Sequence, residues 1–350
     1  MIVLNIMISK CYTSVNFIPD NSNWVTSLEN AELKKILLKQ EIRITSKKIA
    51  LCQVNYFPDK YTAIQNSAIY RALGNKLAFD YYHGDPSITP EFSSIFERLK
   101  KHKDHFHRIR VSHSGIENLL MNEGFSDKVF RIPIGINTNF FSLQTNQKKF
   151  LTREKLGIPQ SSFVIGSFQK DGNGWGEGLS PKLIKGPDVL LDVLRILKNY
   201  IPEIFVLLTG PSRGYVINGL ERLKIPYKHY YVDEYQNICQ YYHTLDAYLV
   251  TSREEGGPKS ILESMASGVP IVSTAVGQAQ DLIVNHENGW VSDSGDVSEL
   301  SENIINIYNG IELIQSIKKS AVLTAERNSY QSQGVLWKEF FSPILSSHII

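Results

Sequence analysis

The stretch from Ala247 to Gly277, AYLVTSREEGGPKSILESMASGVPIVSTAVG, holds the densest set of groups able to do chemistry. An apolar run ends at Ser252 and a short acidic, Gly-rich turn follows. Pro258 stands where a first helical residue belongs, since its fixed φ suits that position and its missing N–H is not needed there. Ile261, Leu262, Met265 and Ala266 then form an apolar stripe at helical spacing. Gly268 supplies a C-terminal cap and Val269-Pro270 stops the helix. This strand–turn–helix puts Glu255 in the loop at the carboxyl end of a strand, where parallel α/β sheets bind ligands. The backbone N–H groups between Gly257 and Ser260, Pro258 having none, point into the same crevice with the positive helix end behind them, an arrangement that suits a phosphate. Glu263, about 1.5 turns into the helix, reaches back toward the same place. The plainer reading is a helix with an acidic cap and Glu263 on a solvated face.

A second constellation is Phe163–Val189, FVIGSFQKDGNGWGEGLSPKLIKGPDV. After a strand comes a loop with Gly172, Gly174, Gly176 and Gly178, then Lys182 and Lys185 just before a helix. Neither the spacing nor the context is that of a Walker A loop or a G-x-G-x-x-G fingerprint. The loop either brings cations to a phosphate or is a flexible surface loop with solvated lysines. A third is KLAFDYYHGDP, where His83 falls at a strand end ahead of a Gly84-Asp85 turn; a lone histidine there is otherwise structural or exposed. His102, His105, His107 and His113 lie close together, but their spacing fits no metal motif. No DxD, GxSxG or HExxH occurs.

The elements that must position these groups alternate. Apolar runs at Ser14–Ile18, Ile49–Tyr56, Leu77–Tyr82, Arg108–Ser112 and Val129–Pro133 predict strands. Helices are expected at Asn23–Lys39, Pro90–Lys103 and Ser114–Glu123. Asn137–Lys149 is polar and reads as a linker. The pattern then restarts, with strands at Phe163–Phe168, Ile204–Thr209, Ala247–Ser252 and Ile271–Ser273. The helices of this half are Pro187–Tyr200, Asn237–Thr244, Pro258–Ser267 and Val297–Tyr308. Alternation of this kind predicts α/β architecture with parallel sheets, and 350 residues suit about two domains.

Composition narrows the class. With 42% hydrophobic and 21% charged residues, a packed core forms and a wholly disordered chain is excluded. No apolar run reaches the ~18–20 residues of a membrane span. The start, MIVLNIMISKCY, lacks a positive n-region and is not expected to be a signal peptide. Cys11, Cys52 and Cys239 form no CxxC pair, which fits a reducing cytoplasm. Residues 1–150 hold 20 Lys+Arg against 13 Asp+Glu, a net of +7, and residues 151–350 hold 17 against 22, a net of −5. The basic half faces either an anionic substrate or an anionic membrane surface, with Arg98–Arg110 as the contact; nucleic acid is not an expected partner.

Glu255 and Glu263 are separated by seven residues in EEGGPKSILESMASGVPIVST, which resembles the E-x7-E signature of retaining GT-B glycosyltransferases of glycosyltransferase family 4. Other pieces stand in the matching order. RVSHSGIENLLMNEGFSDKVFRIPIGINTNFF resembles the segment that ends the acceptor domain, and LIKGPDVLL the Lys-Gly helix start. NGWVSD resembles the late Asn-Gly turn, and NSYQSQGVLWKEFF the final crossing helix. The likeness covers about residues 75–345. It implies two Rossmann-like domains facing across a cleft: an acceptor-side domain at 1–145, a nucleotide-sugar-binding domain at 146–325, and a helix at 326–350 crossing back to the first.

By the same resemblance, Glu255 contacts the donor sugar's hydroxyls, Glu263 the ribose hydroxyls, and Lys185 the diphosphate, while His83 lies near the transferred sugar. Gly256, Gly257, Pro258, Lys259 and Ser260 line the donor. The sequence departs from the family at two places. Asp20-Asn21-Ser22-Asn23-Trp24 replaces the usual glycine pair after the first strand. The arginine a few residues before the family's lysine is absent, so Lys182, Lys170 or Arg213 supplies the second cation. The expected activity is metal- and cofactor-free retaining transfer from a nucleotide-diphosphate sugar to a glycan or lipid-linked acceptor in cell-envelope or polysaccharide synthesis, on the cytosolic face. The alternatives are a catalytically silent GT-B protein that binds a glycan or partner, and a GT-B epimerase.

Overall fold

Short apolar runs bounded by helix-forming stretches become two all-parallel sheets in the computed structural model of the chain, which describes residues 12–19, 25–310 and 313–346. The first sheet contains β1 (Ser14–Phe17), β2 (Arg43–Thr45), β3 (Val54–Phe57), β4 (Lys76–Tyr81), β5 (Arg108–Val111) and β6 (Val129–Arg131). Its order is β2-β1-β3-β4-β5-β6. The second contains β7 (Phe163–Phe168), β8 (Ile204–Thr209), β9 (Tyr227–Tyr230), β10 (Ala247–Val250), β11 (Ile271–Thr274) and β12 (Trp290–Ser292), ordered β12-β11-β10-β7-β8-β9. The central strands are buried on both faces, as helical crossovers on either side require. In the second sheet the order reverses between β7 and β10. That pair of strands marks the switch point where doubly wound sheets bind ligands.

The chain forms two compact units: residues up to Gly135 with those from Tyr330 onward, and Ile136–Ser329. Each sheet has an apolar cluster on either face. In the first unit one cluster joins Val15, Tyr56 and Ala78 to Trp337, Phe340 and Phe341 of the C-terminal helix Gly334–Phe341. In the second, Leu190, Leu194, Leu249 and Ile304 pack on one face, and Phe168, Tyr242, Tyr248 and Leu262 on the other.

Several elements differ from the sequence reading for identifiable reasons. The polar stretch Asn137–Lys149 is no linker. It belongs to the second unit and leads into the helix Asn146–Lys155, which Thr145 caps by accepting from the Lys148 amide at 3.1 Å. The Gln144 side chain donates to the carbonyls of His243 and Leu245 at 2.9 and 2.7 Å. The helix Lys60–Ala72 buries only Lys60, Ala63, Ile64 and Ser67, too few apolar groups to show a stripe. Ile49 and Leu51 are exposed, and the strand expected there begins at Val54. Residues 1–11 and Asp20–Trp24, where the chain start and the missing glycine pair were read, lie outside the described residues.

The basic stretch Arg98–Arg110 is not one surface. Arg98 and Lys101 are exposed on the helix Pro90–Lys101, but Arg108 donates to the Asp127 carbonyl at 3.2 Å and Arg110 is buried. The Arg110 guanidinium lies 3.2 Å from Glu29 and 3.5 Å from Asp80. It also donates to the Tyr82 hydroxyl at 2.8 Å and to the carbonyls of Ile132 and Pro133 at 2.9 and 2.7 Å. Tyr330 donates to Glu29, and the Trp337 ring lies 4.9 Å from the guanidinium carbon. The C-terminal segment is thus bound to the first sheet through a buried charge network as well as through apolar packing. Among the described residues no helix is long and apolar enough to cross a membrane.

Burial raises the Asp80 carboxyl from 3.8 to about 6, outweighing the pull of Arg110 and of the Tyr56 and Tyr82 hydroxyls. A carboxyl that binds its proton more tightly when folded stabilises the fold fully below its unfolded value and loses that contribution as pH rises through the folded one. Urea unfolding of the wild type should therefore show a loss of roughly 3 kcal/mol from this group between about pH 4 and 6. Asp80→Asn should not show it; parallel pH profiles for the two proteins would count against the assignment.

Candidate functional site

The loops that leave β7 and β10 at the switch point carry the groups singled out from the sequence. After β7 the chain makes the Gly-rich excursion and returns through a single turn at Leu183–Lys185, then enters the helix Pro187–Leu197. Gly186 links the two in the left-handed region at φ +62°, and a Cβ there would stand 1.9 Å from the Thr251 carbonyl oxygen. Glycine is required for both reasons. The loop after β10 is stitched to this turn. The Arg253 and Glu254 amides donate to the Ile184 carbonyl at 2.8 and 3.1 Å. The Arg253 guanidinium grips both Asp188 oxygens at 2.8 and 2.6 Å, and Thr251 Oγ1 donates to the Gly186 carbonyl at 2.9 Å.

This stitching brings Lys185 and Glu255, 70 residues apart, into an ion pair between Nζ and Oε1. Ser252 Oγ donates to the same glutamate oxygen at 2.9 Å. Gln169 Nε2 holds the Lys185 carbonyl at 3.1 Å. Lys182 is half-buried nearby. Its ammonium is held below the usual lysine value by burial first, then by repulsion from Lys185 and Lys170, with Glu255 opposing. The three lysines and Glu255 therefore share one electrostatic neighbourhood.

The helix Lys259–Ala266 begins one residue later than its pattern suggests, with Pro258 as the extended residue before it. Behind Gly256 and Gly257, the neighbouring loop packs without room for a side chain: a Cβ on Gly277 would meet the Glu255 carbonyl at 2.6 Å. Ser260 lies next to the buried Tyr248 hydroxyl. Glu263 is buried, not solvated, at 5% exposure. Its two oxygens accept from Tyr235 at 2.6 Å and Tyr242 at 2.8 Å. Burial raises the Glu263 carboxyl, while the Tyr235 hydroxyl, Lys259 and Tyr242 pull it back. Lys259 Nζ lies 5.6 Å from the Tyr235 ring centre. Sequence reasoning missed both tyrosines. The only trace was a density of seven tyrosines between Tyr227 and Tyr248.

Arg213, one of the three candidates for a second cation, is built into the core instead, with 1% exposure. Its Nε lies 2.9 Å from the buried Asp171 carboxylate, and Nη1 donates to the Ser167 and Thr209 carbonyls at 2.6 and 2.8 Å. Its donors tie the ends of β7 and β8 together and leave no face for a ligand. The Asp171 carboxyl is raised by burial, against Arg213's pull.

His83 belongs to the first unit. Its carbonyl accepts from the buried Lys60, whose Nζ lies 4.2 Å from the Tyr81 ring centre and 4.9 Å from that of Phe92. The His83 ring meets Phe92 edge-on at 5.5 Å, and the Tyr81 hydroxyl donates to the Gly84 carbonyl at 2.9 Å. The turn is firmly held. Among the described residues no three His, Cys, Asp or Glu side chains are grouped to hold a metal; His107 instead caps the Leu77 amide at 3.2 Å.

Residues 179–322 match the family model for glycosyl transferases group 1. The chain is 29% identical over 175 residues to the lipopolysaccharide core biosynthesis mannosyltransferase LpsB of Rhizobium meliloti (strain 1021), covering 47% of this chain and 46% of that protein. It is 28% identical over 102 residues to the capsular polysaccharide biosynthesis glycosyltransferase CapM of Staphylococcus aureus, covering 29% and 26%. The matches thus span less than half the length of these curated relatives. Among solved structures, Anabaena Alr3699/HepE in complex with UDP and glucose aligns with a TM-score of 0.75 at 16% identity, over 95% of this chain and 100% of that one. At that identity the likeness is one of fold, and the fold is the expected GT-B.

Arg213→Met should cost about 3–5 kcal/mol in urea unfolding, because it strands the Asp171 charge in the core. Combining it with Asp171→Asn should recover part of the loss. Near-wild-type stability of the single variant would contradict a structural arginine.

Proposed function

We propose that this chain, whose residues 179–322 match the model for glycosyl transferases group 1, moves a sugar with retention from a nucleoside-diphosphate sugar to a hydroxyl of a glycan or lipid-linked acceptor, in polysaccharide or cell-envelope synthesis. The observation that carries the reading is the Lys185–Glu255 pair at the switch point, with Lys182 and Lys170 beside it. Three lysines against one glutamate leave a net charge of about +2 opposite a leaving group that carries two or more negative charges. HepE, the GT-B neighbour, binds UDP and glucose, and LpsB and CapM are named for polysaccharide synthesis.

In the proposed reaction the bond from the sugar's anomeric carbon to the diphosphate oxygen breaks, and the acceptor oxygen bonds to that carbon on the same face. The acceptor's proton goes to the departing phosphate. Charge stabilisation is needed more than a strong base, and fixed ammonium groups and backbone amides supply it. An ammonium has three donors. Lys185 can keep one on Glu255 and turn the others to the diphosphate. Glu255 would receive sugar hydroxyls on its second oxygen, and Glu263 the ribose hydroxyls on the lone pairs its tyrosines leave open. Gly256, Gly257, Pro258, Lys259 and Ser260 border the phosphates in this reading. Lys182 is the second cation, since Arg213 is committed to the core. His83 is assigned to the transferred sugar on the family resemblance alone. In this reading the exposed Arg98 and Lys101 provide weak attachment to an anionic membrane.

Glu255→Ala and Lys185→Ala should each lower turnover by ~10²–10³-fold. Lys185→Arg should recover activity only in part, because a planar fork does not replace a point charge. Glu263→Ala should act mainly on nucleotide affinity, at roughly 1–3 kcal/mol. Activity should survive EDTA; an absolute need for added Mg²⁺ or Mn²⁺ with Lys185→Ala still active would overturn the mechanism. A thermal-shift screen against nucleotide sugars finds the donor, since a ligand at 100 Kd stabilises by ~2.7 kcal/mol.

Lys182 gives a separate pH test. Partly buried and crowded by like charges, it loses its proton at lower pH than an ordinary lysine, and a bound diphosphate restores it. Affinity for the nucleoside diphosphate should therefore fall on the alkaline side as pH passes the depressed value. Calorimetric titration across pH should show that fall in the wild type and not in Lys182→Ala. Identical alkaline profiles would remove Lys182 from the site.

A further inference from the structure

The Gly-rich excursion between β7 and Lys182 is a rigid hairpin, not a flexible loop. Gly172 and Pro181 pair across its base in antiparallel fashion, and the Asn173 amide donates to the Ser180 carbonyl at 2.9 Å. Its tip is fastened to the turn after β8. Ser212 Oγ donates to the Gly176 carbonyl at 2.9 Å, and the Gly214 and Tyr215 amides donate to the carbonyls of Glu177 and Gly178 at 2.7 and 2.9 Å. The approach is so close that a Cβ on Gly172 or Gly178 would stand 2.3 or 2.1 Å from the Ser212 carbonyl oxygen. The glycines are there to let two backbones touch.

This mount carries Trp175 with 68% of its surface in water, whereas Trp290 and Trp337 are 1% and 2% exposed. A soluble surface gains nothing from a fixed, wet indole; its large apolar face favours being covered. Lys170 Nζ lies 4.1 Å from the ring centre, and the next residue, Asp171, accepts from the Lys182 amide at 2.8 Å, so the lysine on the indole adjoins the turn that carries Lys182 and Lys185. The indole therefore stands at the rim of the candidate diphosphate site. The ring face that attracts an ammonium also attracts the polarised C–H groups on one side of a pyranose ring, and a flat apolar face matches that side in shape. A bound diphosphate offers Lys170 a stronger partner than the indole, which frees the ring when a donor is present.

We infer that Trp175, on its Gly-strapped hairpin, is the stacking surface for a pyranose ring next to the diphosphate site, with Lys170 as the group that uncovers it. The inference rests on the nucleotide-sugar reading above. The pyranose comes either from the donor or from the acceptor. Acrylamide quenching of tryptophan fluorescence on the full chain tests both, with Trp175→Phe subtracted to isolate this indole. The ligands are UDP, UDP-glucose, and UDP with methyl glucopyranosides, then GDP, GDP-mannose, and GDP with methyl mannopyranosides. The diphosphate alone should leave Trp175 open to quencher. Protection of about twofold or more by the nucleotide sugar assigns the donor sugar, and protection only when the free pyranoside is added assigns the acceptor. In Trp175→Ala, the affinity for the protecting pyranose should fall about 3- to 10-fold relative to that for the diphosphate. Equal protection by the diphosphate alone would overturn the inference, as would no protection by either sugar source while the diphosphate still raises Tm. Protection by dodecyl phosphate and by no pyranose would make the hairpin a lipid contact and overturn it as well. If none of UDP, GDP, ADP, CDP and dTDP raises Tm, the nucleotide-sugar reading itself fails, and that failure is visible before any quenching is measured.

Discussion

Everything at the candidate site depends on how closely two loops pass where the second sheet reverses its strand order. Gly186 and the Thr251 carbonyl touch with no space for a methyl group. That contact sets Lys185 beside Glu255, and the Ile184, Asp188 and Arg253 bonds hold it in register. The β7–β10 neighbourhood creates the crevice, but the crevice alone would leave two long side chains free to wander. Fixing both backbones removes much of the entropy that an exposed lysine and glutamate lose on pairing. Ser252 then donates to the paired oxygen of Glu255, and Gln169 holds the Lys185 carbonyl.

The two buried arginines show the opposite use of charge. Arg110 and Arg213 sit in the first and second units with every described contact inside their own unit. A buried guanidinium is expensive unless several oxygens surround it, and each of these has carboxylate and carbonyl partners on adjacent strand ends. Their planar forks join strands; the lysines of the site are point charges on flexible stems. Arginine is therefore fixed where geometry must not change, and lysine stands where a ligand's charge is to be met. The sequence could not separate the two, because LTGPSRGY carries an arginine in a Gly-rich turn after a strand, the same setting as a phosphate-binding cation.

What was legible follows the same division. β7, β8 and the helix Val297–Tyr308 begin and end where their apolar patterns do, because central elements of a parallel sheet are buried and their composition shows it. The edge strands Arg43–Thr45 and Tyr227–Tyr230 are partly exposed and carry polar residues, so no run marks them. Glu255, Glu263, Lys182 and Lys185 stood out in the sequence as groups with chemistry in the segments that follow β7 and β10. Their partners did not, since the Ser252 and Tyr235 contacts arise from loop conformation, which leaves no period in the sequence. The Gly-rich excursion was read as either a flexible loop or a carrier of cations; what the sequence did not show is that its glycines answer to the backbone of Ser212, 40 residues away from Gly172.

Glu263 and Glu255 follow one design. Each carboxylate already holds protein donors: two tyrosine hydroxyls on Glu263, a serine hydroxyl and an ammonium on Glu255. A bare buried carboxylate would take a proton, and burial does push Glu263 in that direction. The tyrosine donors oppose that shift and favour an ionised acceptor in a dry place. Each Glu263 oxygen still has a lone-pair site to spare, and on Glu255, where both donors share Oε1, the spare sites are on Oε2. Under the proposed function, a vicinal diol would meet an acceptor already aimed and already stripped of water, so little reorganisation remains at the moment of binding. The fully buried Tyr242 fixes the position of the carboxylate, and the more accessible Tyr235, on a short turn with Lys259 near its ring, is the partner able to adjust to what arrives.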